Sequence, residues 1–278
     1  GQTRTLALIV SDLSNPSFGT MASAAEDYAR RLGYSLTVHN THDDVKREAA
    51  YIQAVTQRWV DGVLYVSAED ELSSQIALEE AGIPSVAIDR IPEHYDGPSV
   101  ILDNVKAGFI AAQHLLDLGH QRIAHISGPR RLRVARERVA GFVQALEVQG
   151  FVPVAREEGN WTCDSGYTGM KRIFDHTEML PTAIFAANDR MAIGAIQAIN
   201  EAGLRVPDDL SVMGLDDIEV AAYQNPPLTT VRQSFVELAT LAMQLLFALI
   251  EKEQPDKTQL VLEPELVERR STARLAKQ

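Results

Sequence analysis

A regular alternation of short β-branched runs with longer amphipathic stretches constrains this chain more than any other feature. Strands are predicted at LALIVSD, SLTVHN, GVLYVSA and PSVAID, which occupy Leu6–Asp12, Ser35–Asn40, Gly62–Ala68 and Pro84–Asp89. Apolar strands separated by helices of ordinary length form parallel βαβ units with right-handed crossovers. The first part of the chain is therefore predicted to build an open parallel sheet with helices on its faces.

The same alternation starts again after Gly119. Strands are predicted at RIAHISG (Arg122–Gly128), TAIFAAN (Thr182–Asn188), SVMGLD (Ser211–Asp216) and QLVLE (Gln259–Glu263), with a short TTV strand after a Pro-rich loop. Helices are predicted over Ser17–Leu32, Val45–Arg58, Glu71–Glu80, Asn104–Leu118, Ala135–Gln149, Ser165–Phe174, Asp189–Ala202 and Phe235–Glu251. The predicted fold class is α/β, with two open parallel-sheet, Rossmann-like lobes.

No low-complexity linker separates the two lobes, so the chain is predicted to cross between them more than once. We predict crossings near Leu118, Ser234 and Glu263. These give one lobe of residues 1–118 with 234–262 and a second lobe of residues 119–233 with 263–278. Several short crossings form a hinge, and a ligand is expected in the cleft between the two sheet ends.

Composition and charge limit the classes of protein to which this chain can belong. The 278 residues suffice for two cores, and 45% hydrophobic with 23% charged residues is a globular composition. A formal net charge of −12 argues against DNA binding by this chain itself, because DNA affinity rests on Lys and Arg that displace counterions. Cys163 is the only cysteine, so no intrachain disulfide can form and a reducing, cytoplasmic location is expected. The opening GQTRTLALIVSD shows no secretory leader, no apolar run is long enough to span a bilayer, and no membrane partner is expected.

The segment Gly203–Gln233, GLRVPDDLSVMGLDDIEVAAYQNPPLTTVRQ, indicates where a ligand binds. A helix ends at Gly203, and the β-branched strand that follows carries Asp216 at its carboxyl end. Open α/β folds place ligand contacts at the carboxyl ends of parallel strands, so Asp216 is a candidate ligand acceptor. The structural alternative is a turn or N-cap carboxylate, because Asp217 follows directly.

Sequence signatures of catalysis are absent. No GxGxxG follows a strand, no GxxxxGK[ST] or GxSxG occurs, and the seven histidines are scattered. A metal site could be formed by His39, His42, Asp43 and Asp44, but we prefer to interpret this segment as a solvated strand-to-helix loop. We therefore expect a binding protein that is not an enzyme, with no catalytic residue, cofactor or metal.

The order and spacing of seven segments are also informative. These segments are VSDLSNPSF, VDGVLYVS, GIPSVAIDR, HLLDLGHQRIAHISGP, PTAIFAANDRMAIGAI, the Gly203–Gln233 segment and ELVERRST. Together they resemble the ligand-binding core of transcriptional regulators of the LacI/GalR family. The resemblance implies a periplasmic-binding-protein-like type I fold, a homodimer and a small-molecule effector, with a sugar as the expected one. In that family, lobe closure around the effector changes operator affinity. A helix-turn-helix headpiece grips the operator, and because this chain shows none, operator DNA is expected only through a headpiece that the chain lacks.

The resemblance also implies a set of ligand contacts. Asp216 would accept hydrogen bonds from sugar hydroxyls, and the planar fork of Arg138 would donate to them. Trp161 would cover the apolar face of a sugar ring, and Asn188 can both donate and accept. The remaining members of the set are Ser14, Asn15, Phe18, Asp103 and Phe235.

Each of these residues also has a purely structural interpretation. Trp161 could pack its loop against a helix, Asn188 could cap the helix that begins at Asp189, and Phe18 could be a core residue. Three positions depart from the family pattern: Ser17 replaces an aromatic residue, and Leu132 and Val134 replace hydrogen-bonding ones. The five arginines of RRLRVARER (Arg130–Arg138) are interpreted as a solvated helix face, with an anionic ligand as the alternative.

A second class of protein stays open at this level. Secreted sugar-binding proteins that serve ABC transporters share the two-lobe fold, and they are typically monomers. Self-association therefore distinguishes a dimeric regulator from a secreted binder.

Overall fold

The computed structural model describes residues 3–57 and 60–275. Its strands are β1 (Thr5–Val10), β2 (Ser35–Asn40), β3 (Gly62–Tyr65), β4 (Ser85–Ile88), β5 (Ser99–Leu102), β6 (Ile123–Ser127), β7 (Ala155–Glu158), β8 (Ala183–Ala186), β9 (Ser211–Asp216), β10 (Thr229–Arg232), β11 (Gln259–Leu262) and β12 (Glu265–Val267). Its helices are α1 (Pro16–Arg31), α2 (Val45–Gln57), α3 (Ser73–Glu80), α4 (Asn104–Asp117), α5 (Arg133–Val148), α6 (Cys163–His176), α7 (Asp189–Glu201) and α8 (Phe235–Ile250). A 3-10 turn covers Glu219–Tyr223.

The chain divides into two compact units. Unit 1 comprises residues 1–102 with 234–262, and unit 2 comprises residues 103–233 with 263–278. The first boundary lies between Leu102 and Asp103, one helix earlier than the predicted crossing near Leu118, because α4 packs against α5 of unit 2. The boundaries at Ser234 and Glu263 lie where the sequence places them.

Unit 1 is built on a six-stranded sheet in the order β11-β5-β4-β3-β1-β2, and every neighbouring pair is parallel. Helices α1 and α8 pack together on one face, and α2 and α3 pack together on the other. Leu6 to Val10 are completely buried because both faces of this sheet are covered. The continuous apolar runs that predicted the central strands have this cause.

Unit 2 repeats the plan with the order β12-β10-β9-β8-β6-β7. Its strands are parallel except for the pair β10 and β12, which is antiparallel. Helices α4 and α5 cover one face, and α6 and α7 cover the other. The two sheets confirm the predicted α/β class with two open, predominantly parallel sheets.

Glycines allow the helices of unit 2 to approach each other closely. A Cβ atom on Gly108 of α4 would overlap the backbone oxygen of Arg138 in α5, and one on Gly141 of α5 would overlap that of Val105. Gly166 of α6 and Gly194 of α7 form an equivalent pair. Only glycine lets two helix backbones meet in this way, so these four residues set the spacing of the helix pairs.

Several elements differ from the sequence-based expectations. Strands β5, β7 and β12 were not predicted, and β3 ends at Tyr65 before the predicted Ala68. Strand β7 is a polar edge strand whose residues are alternately exposed, so it lacks an apolar run. The predicted end of the second helix, Arg58, lies outside the described residues. In the described part of the chain, no helix is long and apolar enough to cross a membrane.

Candidate functional site

Arg138 of α5 is the centre of a buried polar group in unit 2. We call it the Arg138 cluster and define it as Asn104, Arg138, Trp161, Asp216 and Gln233. The Arg138 side chain is almost completely buried, and it donates from Nε to Asn104 Oδ1 at 2.9 Å and from Nη2 to Gln233 Oε1 at 3.1 Å. Its Nη1 donates to the backbone oxygen of Ala187 at 2.7 Å. Because three separate segments hold the guanidinium group, its position and plane are fixed.

Asp216 sets a carboxylate beside this guanidinium group. It is the last residue of β9, its side chain is 6% exposed, and its Oδ1 lies 3.9 Å from Arg138 Nη1. Its φ of 120° lies in a region that residues other than glycine rarely adopt. The backbone N–H of Gln233 donates to its carbonyl at 3.3 Å. An acceptor and a donor fork held side by side suit hydroxyl groups, each of which both donates and accepts.

Trp161 adds an aromatic face to the same cluster. The Cζ of Arg138 lies 5.5 Å from the centre of the indole ring, a cation–π distance. The ring lies against Gly128, where a Cβ atom would overlap it, and Trp161 also has a left-handed φ of 72°. Asn188 holds this residue in place, since its Nδ2 donates to the Trp161 carbonyl at 3.1 Å. Two of the strained residues of unit 2 thus lie in one cluster, as is common at ligand sites.

The loop after Asp216 is anchored by a buried acid. Asp189, the first residue of α7, accepts from the N–H of Ile218 at 2.9 Å and from Thr230 Oγ1 at 2.6 Å. Burial raises the pKa of the Asp189 carboxyl well above its usual value, and the negative charge of Asp216 raises this pKa further. Gly214 lies against this carboxyl, because a Cβ atom there would overlap Asp189 Oδ1. Through these contacts Asp189 fixes the position of the carboxyl end of β9 and of the loop that follows it.

The neighbouring carboxylate, Asp217, has a different role. It accepts from Arg232 Nε at 2.8 Å and from Arg269 Nη2 at 2.6 Å. Both ion pairs tie the loop to β10 and to the final segment of unit 2. Of the two adjacent acids, Asp216 belongs to the Arg138 cluster and Asp217 belongs to the framework.

In unit 1 two of the predicted contacts, Phe18 and Phe235, pack together beside Arg90. We call this group the Phe18 cluster and define it as Phe18, Asp43, Asp89, Arg90 and Phe235. The rings of Phe18 and Phe235 meet edge to face with centroids 6.2 Å apart, and the Cζ of Arg90 lies 5.7 Å from the Phe18 ring centre. Arg90 Nη1 pairs with Asp43 Oδ1 at 2.6 Å, and its Nε lies 3.9 Å from Asp89 Oδ2. This cluster combines an apolar surface with one buried cation.

Three of the predicted ligand residues cap helices. Asn15 accepts from the N–H of Ser17 at the start of α1, Asp103 from that of Lys106 in α4, and Asn188 from that of Met191 in α7. The capping alternative is thus present for Asn188, and Phe18 is buried as a core residue would be. Ser14 is exposed and donates from Oγ to Asp12 Oδ2 at 2.8 Å. The ligand contacts of these residues stay predictions.

Asn104, Gln233 and Arg90 were not predicted from the sequence. Gln233 follows β10 directly, whereas Asn104 and Arg90 are the second residues after the ends of β5 and β4. The rule that places ligand contacts just beyond parallel strands could have identified all three.

The acidic and histidine-containing loop has a structural explanation. His39 packs on Tyr51 with ring centroids 5.0 Å apart, Asp43 pairs with Arg90, and Asp44 accepts from the N–H groups of Lys46 and Arg47 at the start of α2. Within residues 3–57 and 60–275, no group of three or more His, Cys, Asp or Glu side chains could hold a metal ion.

The arginine-rich run is largely tied down locally. Arg133 pairs with Glu137 at 2.6 Å, and Arg130 pairs with Glu158 at 3.1 Å. Arg136 donates to the carbonyls of Arg130 and Arg131. These contacts agree with the interpretation of a solvated helix face for most of the run.

Comparison with known proteins places this architecture. A family model for periplasmic binding protein-like domains matches residues 112–272. The HTH-type transcriptional repressor PurR of Mannheimia succiniciproducens is 34% identical over 278 residues, which cover 99% of this chain and 83% of the relative.

Two solved structures are also similar. The complex of the transcriptional regulator CelR with cellobiose has a TM-score of 0.89 and 30% identity, and the match covers 97% of this chain and 85% of that one. A dimeric Lac repressor with an 11-residue C-terminal deletion has the same score and identity, with coverage of 97% and 98%. The chain therefore belongs to the LacI family of transcriptional regulators and carries that family's periplasmic-binding-protein-like, ligand-sensing core.

Proposed function

We propose that the effector of this regulator is a sugar or a sugar derivative and that it binds at the Arg138 cluster. One observation carries the proposal: Asp216 and the guanidinium group of Arg138 are held 3.9 Å apart, beside the indole face of Trp161. Neighbouring hydroxyls of a sugar match such a pair of acceptor and donor, and an indole covers the C–H face of the ring. The CelR structure, which contains cellobiose, supports this class of ligand.

The Phe18 cluster is the second part of this proposal. We expect Phe18, Phe235, Asn15 and Ser14 to contact the same effector, with Asp103 and Asn188 contributing where they cap their helices. Phe18→Leu keeps an apolar side chain and removes the ring, so it should weaken effector binding while unit 1 still folds. Unchanged affinity in this variant would remove Phe18 from the site.

Effector binding is proposed to shift a conformational equilibrium that changes operator affinity. A ligand shifts such an equilibrium only by the difference between its affinities for the two states. A two-fold dimer fits this function, and the similar Lac repressor was solved as a dimer. Light scattering that gave a monomer at micromolar concentration would contradict the dimer and favour a monomeric binding protein.

A thermal-shift panel of pentoses, hexoses, disaccharides, sugar acids, sugar phosphates and purines tests the effector. A ligand at 100 times its Kd should stabilise the protein by about 2.7 kcal/mol. Asp216→Asn is the decisive variant, because it keeps the shape of the side chain and removes its charge. A hydrogen bond to a charged group contributes about 1.5–3 kcal/mol, so we expect the affinity to fall roughly 10- to 100-fold.

Asp217→Asn is the matched control for this test. It neutralises the adjacent residue, which pairs with Arg232 and Arg269 and not with the Arg138 cluster. We expect it to lower stability and to leave effector affinity near that of the wild type. If Asp216→Asn binds as tightly as the wild type, the proposed site is wrong.

A further inference from the structure

Arg90 is a buried cation whose charge is already matched within unit 1. Its side chain is 7% exposed, and its guanidinium group lies over the ring of Phe18. Its Nη1 lies 2.6 Å from Asp43 Oδ1, and its Nε lies 3.9 Å from Asp89 Oδ2. Two carboxylates thus face one guanidinium group.

The fold of unit 1 brings Asp43 to Arg90 from a distant segment. Asp43 lies in the loop after β2 and Arg90 in the loop after β4, and β1 and β3 lie between these two strands in the sheet. The N–H of Asp43 donates to the carbonyl of Ser11 at 2.9 Å, and the residue has a left-handed φ of 56°. The loop after β1 therefore anchors the backbone of Asp43 and fixes the direction from which its carboxylate reaches Arg90.

Arg138 of unit 2 is matched in a similar way. Asp216 lies 3.9 Å from its Nη1, and its donors bond to neutral oxygens of Asn104, Gln233 and Ala187. An anionic group that entered either cluster would stand beside a carboxylate of like charge. Displacing that carboxylate from the arginine would leave a buried charge without its partner, which is costly.

We propose that Asp43 is a specificity-determining residue that restricts the effector to uncharged sugars. This inference rests on the proposed function and narrows its ligand class. A hydroxyl group both donates and accepts, so it can bond to the carboxylate and the guanidinium group without disturbing the ion pair. The phosphate of a sugar phosphate, or the carboxylate of a sugar acid, meets the negative charges of Asp43 and Asp89 instead. Repulsion of one ligand class is an effective source of specificity.

Inorganic phosphate is the first probe, because it tests Arg90 without a known effector. Phosphate binding to the intact chain is measured by calorimetry and by 31P NMR. We expect no binding to Arg90 in the wild type. Asp43→Asn keeps the shape of the side chain and releases the guanidinium group, so it should bind phosphate roughly tenfold or more tightly than the wild type. Adding Arg90→Gln to this variant should abolish the gain.

Asp44→Asn is the matched control. Asp44 is adjacent in sequence, but its carboxylate accepts from the N–H groups of Lys46 and Arg47 at the start of α2. We expect this variant to lower stability and to gain no phosphate affinity. The Asp43 side chain is 24% exposed, so Asp43→Asn should fold, and circular dichroism checks this.

The second probe is each neutral sugar that the thermal-shift panel identifies, compared with its own phosphate and its own uronic acid. The wild type should bind the neutral sugar roughly tenfold or more tightly than either anion, and Asp43→Asn should remove most of this preference.

Three results would overturn the proposal. One is phosphate binding by the wild type that is lost in Arg90→Gln. Another is equal phosphate affinity in Asp43→Asn and the wild type. The third is a sugar phosphate or sugar acid that binds the wild type more tightly than its neutral sugar and loses affinity in Asp216→Asn, which would support the effector site and refute its specificity. Sugar binding that is insensitive to Asp216→Asn would instead overturn the proposed function, and this inference with it.

Discussion

Units 1 and 2 share one strand order and differ in the chemistry of equivalent positions. In each unit the strand that comes first along the chain, β1 or β6, lies between the second and the third strands of that unit. The sixth strand, β11 or β12, lies at one edge of the sheet. That sixth strand is parallel in unit 1 and antiparallel in unit 2. The first residue of α8 is Phe235, which packs on Phe18 of α1, whereas the first residue of α4 is Asn104, which accepts from Arg138 of α5. One scaffold thus presents an aromatic pair in unit 1 and an arginine network in unit 2.

The same contrast extends to the buried titratable groups. Unit 2 buries His114, His120 and His125, and burial lowers the pKa of each. Unit 1 buries Glu48, which accepts from Ser74 Oγ and the N–H of Ala68, and burial raises the pKa of this carboxyl despite both bonds. Acid therefore acts on the two units in opposite directions. The predictions below test how far the units differ, beginning with the largest effect.

The largest expected effect concerns His125. Its pKa is about 4 in the folded protein against 6.5 in the unfolded chain, so only the unfolded chain binds a proton between these values. Stability from this group is complete above pH 6.5 and is lost as the pH falls towards 4, by about 3 kcal/mol. Denaturant unfolding of unit 2 in His125→Phe should lose less stability over this interval than in the wild type.

Glu48→Gln provides the opposite case in unit 1. A raised carboxyl pKa means that the folded state loses stability as the pH rises from 4.5, the usual pKa of a glutamate, through the folded pKa. The glutamine variant should show a smaller loss over that rise. If His125→Phe and Glu48→Gln changed the pH dependence of the free energy of unfolding in the same direction, the two units would not differ in this respect.

A smaller effect is expected from the close approach of α4 and α5. Gly141→Ala would place a methyl group on the backbone oxygen of Val105, and we expect a loss of about 2 kcal/mol, as in overpacked cores. Gly19→Ala is the matched change in α1, where nothing lies within 4 Å of the added carbon. It should stabilise the protein by about 0.5–1 kcal/mol through helix propensity. If both changes had the same sign in chemical denaturation, the special spacing in unit 2 would be refuted.

The smallest effect concerns the caps of the two equivalent helices. Asp103 caps α4 and Ser234 caps α8, and replacing either by Ala should cost about 1 kcal/mol. Asp103→Ser should restore the cap of α4. Effector affinity separates the roles of Asp103: a ligand contact predicts weaker binding in Asp103→Ser, and a cap alone predicts normal binding.

The sequence predicted most of the buried strands because each is covered on both faces and reads as an apolar run, although it missed β5, which is also mostly buried. It did not reveal β7, whose AREE sequence is that of a polar edge, or β12, a three-residue strand behind Pro264. The placement of α4 in unit 2 depends on Gly108 and Gly141, and their contact joins helices on different segments. Pattern within one segment carries no information on that contact.

The site was predicted unevenly for a related reason. Arg138, Asp216 and Trp161 were identified through resemblance, and the structure brings them together. Asn104 and Gln233 were not identified because only the folded chain brings them within hydrogen-bond distance of the guanidinium group. A residue's type and spacing indicate what it can bind, whereas its hydrogen-bond partners depend on which other segments pack beside it in the fold.

Each unit contains a helix that follows a strand of the other unit along the chain, and this arrangement affects folding during synthesis. Helix α4 follows β5 of unit 1 but packs in unit 2, and α8 follows β10 of unit 2 but packs in unit 1. A nascent chain that has reached Gln233 still lacks α8 and β11 of unit 1 and β12 of unit 2. Gly62 of β3 is then without the cover of Leu246 and Ile250. Neither unit can finish folding until α8, β11 and β12 have been synthesised, so a chain interrupted before them exposes apolar strands and becomes a substrate for chaperones and proteases.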